Sequence, residues 1–153
     1  MRITDFLRPE RVLSDMKARS KSEALAELAE CLSPELGGVG PAELVEILEE
    51  RERLGSTGLE EGLAIPHGKL PHIDRVHACF ARSKGGIDFA ARDGKPSELF
   101  FLLVAPEESS MLHLKALARV SRLLKLDSFR REVAHATTAE EIYAAIRRGD
   151  DQV

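Results

Sequence analysis

Hydrophobic positions along the chain change period twice. Ser20-Lys21-Ser22-Glu23 has the form of a capping box and precedes Ala24, Leu25, Leu28, Ala29 and Leu32, the spacing of one helix face. Pro34 and the run Gly37-Gly38-Val39-Gly40 end that helix. Pro41 stands where a first helical turn accepts a residue without an N–H, ahead of Leu44, Val45, Ile47 and Leu48. This second helix is expected to fade near 51–54 and to break at Gly55-Ser56-Thr57-Gly58. The middle of the chain then loses the helical period. Gly62-Leu63-Ala64-Ile65 is short, apolar and bounded by Gly and Pro, and reads as a strand. Residues 77–82 alternate imperfectly, and residues 99–104 are continuously apolar, as strands covered on both faces are. Three helical stretches follow: 112–126, 129–136, and one opened by a second capping box, Thr138-Ala139-Glu140-Glu141, and carrying Ile142, Ala145 and Ile146. Helices outside a mostly buried sheet predict a layered α/β or α+β single domain over residues 1–148. Residues 149–153 read as a flexible tail.

Composition supports this picture and narrows the function. The 153 residues include 43% hydrophobic and 31% charged positions, ordinary for one globular domain with a single core. With no Trp and one Tyr, the core must be filled mainly by aliphatic residues. The net charge of −4 comes from interspersed acids and bases, so the clustered basic surface that nucleic-acid binding needs is missing. Cys31 and Cys79 form no metal-type pair and no disulfide framework, which fits a reducing cytoplasm. No signal peptide is legible at the N-terminus, and no stretch approaches the roughly 18 apolar residues of a membrane span. A cytoplasmic protein without membrane insertion is expected.

His67, in Ala64-Ile65-Pro66-His67-Gly68-Lys69, is the foremost candidate for chemistry. A neutral imidazole exposes a lone pair near pH 7 and can act as a nucleophile once its other nitrogen is held by an acceptor. Pro66 extends the backbone of Ile65, Gly68 leaves room for a second backbone or a phosphoryl oxygen, and Lys69 adds positive charge. By these residues alone, a loop histidine between a strand and a turn is the commoner reading. Upstream, Gly55-Ser56-Thr57-Gly58 offers N–H groups and hydroxyls as an anion-binding turn, and Arg51 or Arg53 offers a fork of donors. A plain helix-ending turn with solvated arginines competes with that reading. His113 shares one helix face with Ala116, Leu117, Val120 and Leu124, close to the helix start. It is either a satisfied core histidine or the border of a pocket.

Other motifs fail. Five residues separate Gly62 from Gly68, and Leu70 follows Lys69, so a nucleotide P-loop is not formed. His67, His72 and His77 are spaced by five, which suits neither a helix nor a strand face and argues against a zinc site. No GxSxG is present.

Three segments taken together carry a resemblance: Arg51-Glu52-Arg53-Leu54-Gly55-Ser56-Thr57-Gly58, Ala64-Ile65-Pro66-His67-Gly68-Lys69-Leu70, and residues 113–124, His-Leu-Lys-Ala-Leu-Ala-Arg-Val-Ser-Arg-Leu-Leu. In this order they resemble the enzyme IIA domains of the bacterial phosphoenolpyruvate-dependent phosphotransferase system, of the mannitol/fructose and nitrogen-regulatory type, over about residues 3–148. The resemblance implies a mixed central sheet flanked by helices on both faces. It implies a phosphoryl acceptor at His67, a second active-site histidine at His113 and a charge-stabilising arginine at Arg51 rather than Arg53. Ser56, Thr57 and Gly68 become pocket neighbours. The expected donor is a histidine-phosphorylated, HPr-like carrier protein, and the expected acceptor a IIB domain or a regulated target. No metal, nucleotide or other cofactor is expected. Glu60-Glu61 departs from the nitrogen-type pattern, and either weakens docking of an acidic partner or faces solvent. The lack of a fused IIB or membrane segment favours a regulator over a sugar-specific component. From a different class, a binding module never phosphorylated at His67 is the further alternative.

Overall fold

The apolar run at 99–104 lies at the heart of the sheet. A computed structural model describes all 153 residues. The order is β1 (Leu7–Leu13), α1 (Lys21–Leu32), α2 (Pro41–Arg53), β2 (Leu63–Ala64), β3 (His67–Leu70), β4 (His77–Ile87), β5 (Ser97–Pro106), α3 (Ser110–Leu124), α4 (Asp127–His135) and α5 (Ala139–Asp150). In the five-stranded mixed sheet β1 lies parallel to β4, β4 antiparallel to β5, and β2 and β3 both parallel to β5. Leu63 pairs with Leu99 and His67 with Leu103, so β2 and β3 keep one register and behave as a single edge strand interrupted at Ile65-Pro66. An edge is where a sheet tolerates a residue without an N–H.

Alternation along β5 builds two cores. Phe101, Leu103 and Ala105 point to the face covered by α3, α4 and α5; Phe100, Leu102 and Val104 point to the face covered by α1 and α2. This is the layered architecture with helices on both faces that the sequence predicts. The two capped helix starts are also as read. Ser20 Oγ accepts from the Glu23 N–H at 3.1 Å, and Thr138 Oγ1 accepts from the Glu141 N–H at 3.1 Å. Each such cap contributes about 1 kcal/mol.

The structure adds to or amends the sequence reading at three places. β1, with Arg8, Pro9, Glu10 and Arg11 among its residues, buries only Leu7 and Val12 and lies at the other edge of the sheet, so it carries no strand-like pattern. His67 opens a strand instead of lying in a loop, because pairing to β5 resumes immediately after Pro66. Residues 149 and 150, expected in the tail, belong to α5. Gly149 and Asp150 end α5 and are buried, and the Asp150 carboxylate is fully enclosed and paired with Arg119 Nε at 2.7 Å.

Candidate functional site

His67 pairs with Leu103, and that face of the sheet turns its side chain toward α3. Its Nδ1 lies 2.8 Å from the carbonyl oxygen of Ile65. A carbonyl only accepts, so Nδ1 carries the proton and Nε2 keeps its lone pair. Pro66, between the two, fixes the local backbone that makes this bond. Burial lowers the pKa of His67 below its ordinary value. The nearby charge of Arg51 acts in the same direction, and the hydrogen bond to Ile65 opposes it. The ring is therefore a neutral nucleophile near pH 7.

His113 stands in the first turns of α3, and its ring meets that of His67 edge-on, with centroids 5.2 Å apart and an interplanar angle of 83°. It is buried, and its Nδ1 has no hydrogen-bond partner. Its pKa is pushed down to about 4, first by burial and then by the charge His67 carries when protonated and those of Lys69 and Arg51. Of the two readings left open for His113, the structure has it border a depression of about 640 Å³. Ile47, Arg51, Leu54, His67, Lys69 and Leu114 also line it. Leu54 and Leu114 are among the most exposed large apolar side chains of the chain, at 84% and 66%. Exposed Leu54 and Leu114 thus stand beside the exposed polar residues Glu50, Lys69 and Ser110 around a site that holds two imidazoles and a guanidinium.

Arg51 comes from the last turn of α2 and lines this depression, whereas Arg53 borders a separate surface with Lys21, Glu49 and Glu52. Arg51 Nη1 donates to the Gly55 carbonyl at 2.9 Å, and no carboxylate pairs with its guanidinium. A second, smaller depression adjoins His67 and Arg51 and is lined also by Ser56, Thr57, Leu117, Arg92 and Ser121.

The 55–58 turn is not an open anion cradle. Ser56 Oγ donates to the Phe89 carbonyl at 2.7 Å and accepts from the Gly58 N–H at 3.0 Å. The Thr57 N–H donates to Glu52 Oε1 at 3.0 Å, and its hydroxyl bonds the other carboxylate oxygen. These donors are already in use, and the bonds of Thr57 to Glu52 tie the turn to α2. Gly68 lines the depression beside His67, and its missing Cβ faces α2, where a methyl would stand 3.0 Å from Ile47 Cγ2, so the glycine also admits the helix.

Glu60 sits 3.8 Å from Arg92 Nη1, and Glu61 pairs with Arg130. Neither acid stands alone beside His67. His72 lies in an exposed turn with φ 64°, and His77 is buried with Nδ1 2.6 Å from Glu35 Oε1. No group of three or more His, Cys, Asp or Glu side chains converges as a metal site. Sequence reasoning missed Arg92, Ser121 and the exposed pair Leu54 and Leu114, since these residues come from loops and helix faces whose convergence only the fold creates.

The profile of the family described as phosphoenolpyruvate-dependent sugar phosphotransferase system, EIIA 2, matches residues 5–149. A nitrogen regulatory protein of Bradyrhizobium diazoefficiens is 43% identical over 146 residues, covering 95% of this chain and 95% of that protein. The fructose-specific EIIABC component of Bacillus subtilis is 31% identical over 151 residues, which is 98% of this chain and 24% of that larger protein. The crystal structure of the nitrogen regulatory protein IIA-Ntr from Neisseria meningitidis superposes with a TM-score of 0.87 at 33% identity, over 94% of this chain and 98% of that one.

Proposed function

The chain belongs to the EIIA type 2 family of the phosphoenolpyruvate-dependent sugar phosphotransferase system, whose members are phosphoryl carriers, and we propose that it carries the phosphoryl group on Nε2 of His67. The observation that carries this assignment is the Nδ1–Ile65 hydrogen bond, which leaves Nε2 as the free lone pair beside His113 and Arg51.

In the proposed step a phosphohistidine on a small HPr-like carrier protein docks over exposed Leu54 and Leu114. The P–N bond to the donor breaks as the P–Nε2 bond forms, and the electron pair of the old bond stays with the donor imidazole. The proton on Nδ1 of His67 remains hydrogen-bonded to Ile65. Such transfer depends on positioning and on donors that meet the spread charge of the phosphoryl oxygens. Neutral His113 supplies a ring N–H, and Arg51, held by the Gly55 carbonyl and in no ion pair, supplies positive charge. A docked donor covers Leu54 and Leu114 and so keeps water, a competing acceptor, from the phosphoryl group.

The similarity to nitrogen regulatory proteins over nearly all of both chains favours a regulator that signals through its phosphorylation state. A phosphoryl group adds roughly two negative charges at this rim and so alters which partners bind there. Transfer onward to a IIB domain is the alternative, favoured by the similarity to a fructose-specific component. No helix is long and apolar enough to cross a membrane, and the reading has the chain act in the cytoplasm with its donor.

Pull-down from a cell extract with phosphorylated and unphosphorylated protein tests the regulatory reading. A target retained by only one form supports it. Quantitative transfer to a IIB domain, with the same proteins retained by both forms, overturns it.

A further inference from the structure

Arg82 is a buried cation that forms no ion pair. On β4 it is 6% exposed. Its Nε donates to the Ser14 carbonyl at 3.0 Å, and Nη1 donates to the carbonyls of Val133 at 2.7 Å and Ala136 at 2.6 Å, closing the C-terminal end of α4. Nη2 is also buried and has no partner. Helix-end carbonyls offset part of the charge, yet they offer nothing to Nη2. Native proteins seldom leave a buried donor of a charged group unpaired, and such a group is explained when a ligand supplies the acceptor.

Arg82 lines a cavity of about 480 Å³, within the range of small-molecule sites. Leu99, Val133 and Ala136 give it apolar walls, and Lys84 and Thr137 border it. Arg130 also borders it but is held by Glu61 and Asp127, so Lys84 is the mobile cation there. Two acids, Glu61 and Glu98, line it as well, which disfavours a multiply charged anion. Arg82 pairs with Leu99 and His67 with Leu103, which separates the two sites by roughly 13 Å along β5. The Glu61-Gly62 wall leads directly into β2 and on to His67.

We propose that this cavity binds a small monocarboxylic acid, whose carboxylate accepts from Arg82 Nη2 and faces Lys84 while its short apolar body lies on Leu99 and Val133. One free nitrogen of a buried guanidinium matches one singly charged carboxylate, and the walls suit a chain of a few carbons.

An amide-resolved NMR titration of the full chain with acetate, propionate, succinate and inorganic phosphate, at constant ionic strength, tests this. Expected is saturable binding of acetate or propionate, with shifts at the amides of Leu99, Ala134 and Thr137. Arg82→Lys, which keeps a charge but loses the guanidinium edge, weakens binding about tenfold or more. Lys84→Glu weakens it by a smaller factor. Ala134→Phe, on the exposed side of α4, blocks the cavity and serves with Lys84→Glu should the Arg82 variant not fold. Absence of saturation, shifts that survive Lys84→Glu and Ala134→Phe unchanged, or saturation by phosphate or succinate alone each overturns the proposal.

Discussion

Nδ1 of His67 donates to the carbonyl of Ile65, two residues back across Pro66, over 2.8 Å. A histidine in a strand ordinarily has either nitrogen free to protonate. Here backbone geometry selects the tautomer, so the nucleophilic atom is chosen before any partner arrives. The same bond orients the ring edge-on to His113, whose Nδ1 is buried and unpaired.

His113→Ala is expected to leave His67 able to accept a phosphoryl group, but about 100–1,000-fold more slowly, the range found when one preorganised donor is removed. Rapid-quench labelling with a phosphorylated carrier protein measures this. An unchanged rate would mean that the imidazole is only a packing residue.

Arg51→Ala removes a guanidinium that stands in no ion pair. Labelling is expected to slow about 10–100-fold, with Arg51→Lys intermediate because the charge remains and the fork of donors is lost. Arg53→Ala, on the separate surface, is the control and is expected to label normally.

Gly68→Ala places a methyl 3.0 Å from Ile47 Cγ2. The expected cost is about 1–3 kcal/mol of stability, typical of overpacking. Thermal denaturation reads it, and Ile47→Ala in the same chain is expected to recover part of the loss. If the double variant loses the sum of both single losses, the contact with α2 is not the cause.

His113 has a folded pKa of about 4 and His67 is also lowered. Between about pH 4 and the unfolded value near 6.5 the unfolded chain binds more protons, so this contribution to stability falls as pH falls through that window. Below about pH 4 the loss from His113 is complete. Unfolding free energies from urea titrations at pH 7 and pH 5 are expected to differ less for His113→Gln than for the unmodified chain, by on the order of 1 kcal/mol after solvent screening. Equal slopes would contradict the buried neutral imidazole.

Legibility followed the physics of each element. Capping residues Ser20 and Thr138 and the two-faced run at 99–104 announce themselves, because caps and buried strands constrain local residue types. β1 stays hidden, since an edge strand may carry Arg8, Pro9 and Glu10 without penalty. Asp150 looks like a solvated terminal residue until the fold brings Arg119 beside it. At the site, the segments around His67, His113 and Arg51 are readable and their convergence is not: β3, α3 and α2 meet only through the sheet register and the glycine at 68. For Ser56 and Thr57 the residue types suggested free donors, while the folded turn commits them to Phe89 and Glu52.

The most direct test is to incubate the protein with phosphoenolpyruvate, the first enzyme of the system and the carrier protein, and to map the product. The account predicts an acid-labile, base-stable phosphoryl group on Nε2 of His67, absent from His67→Ala. Equal labelling of His67→Ala, or a phosphoryl group found on any other residue, would contradict it.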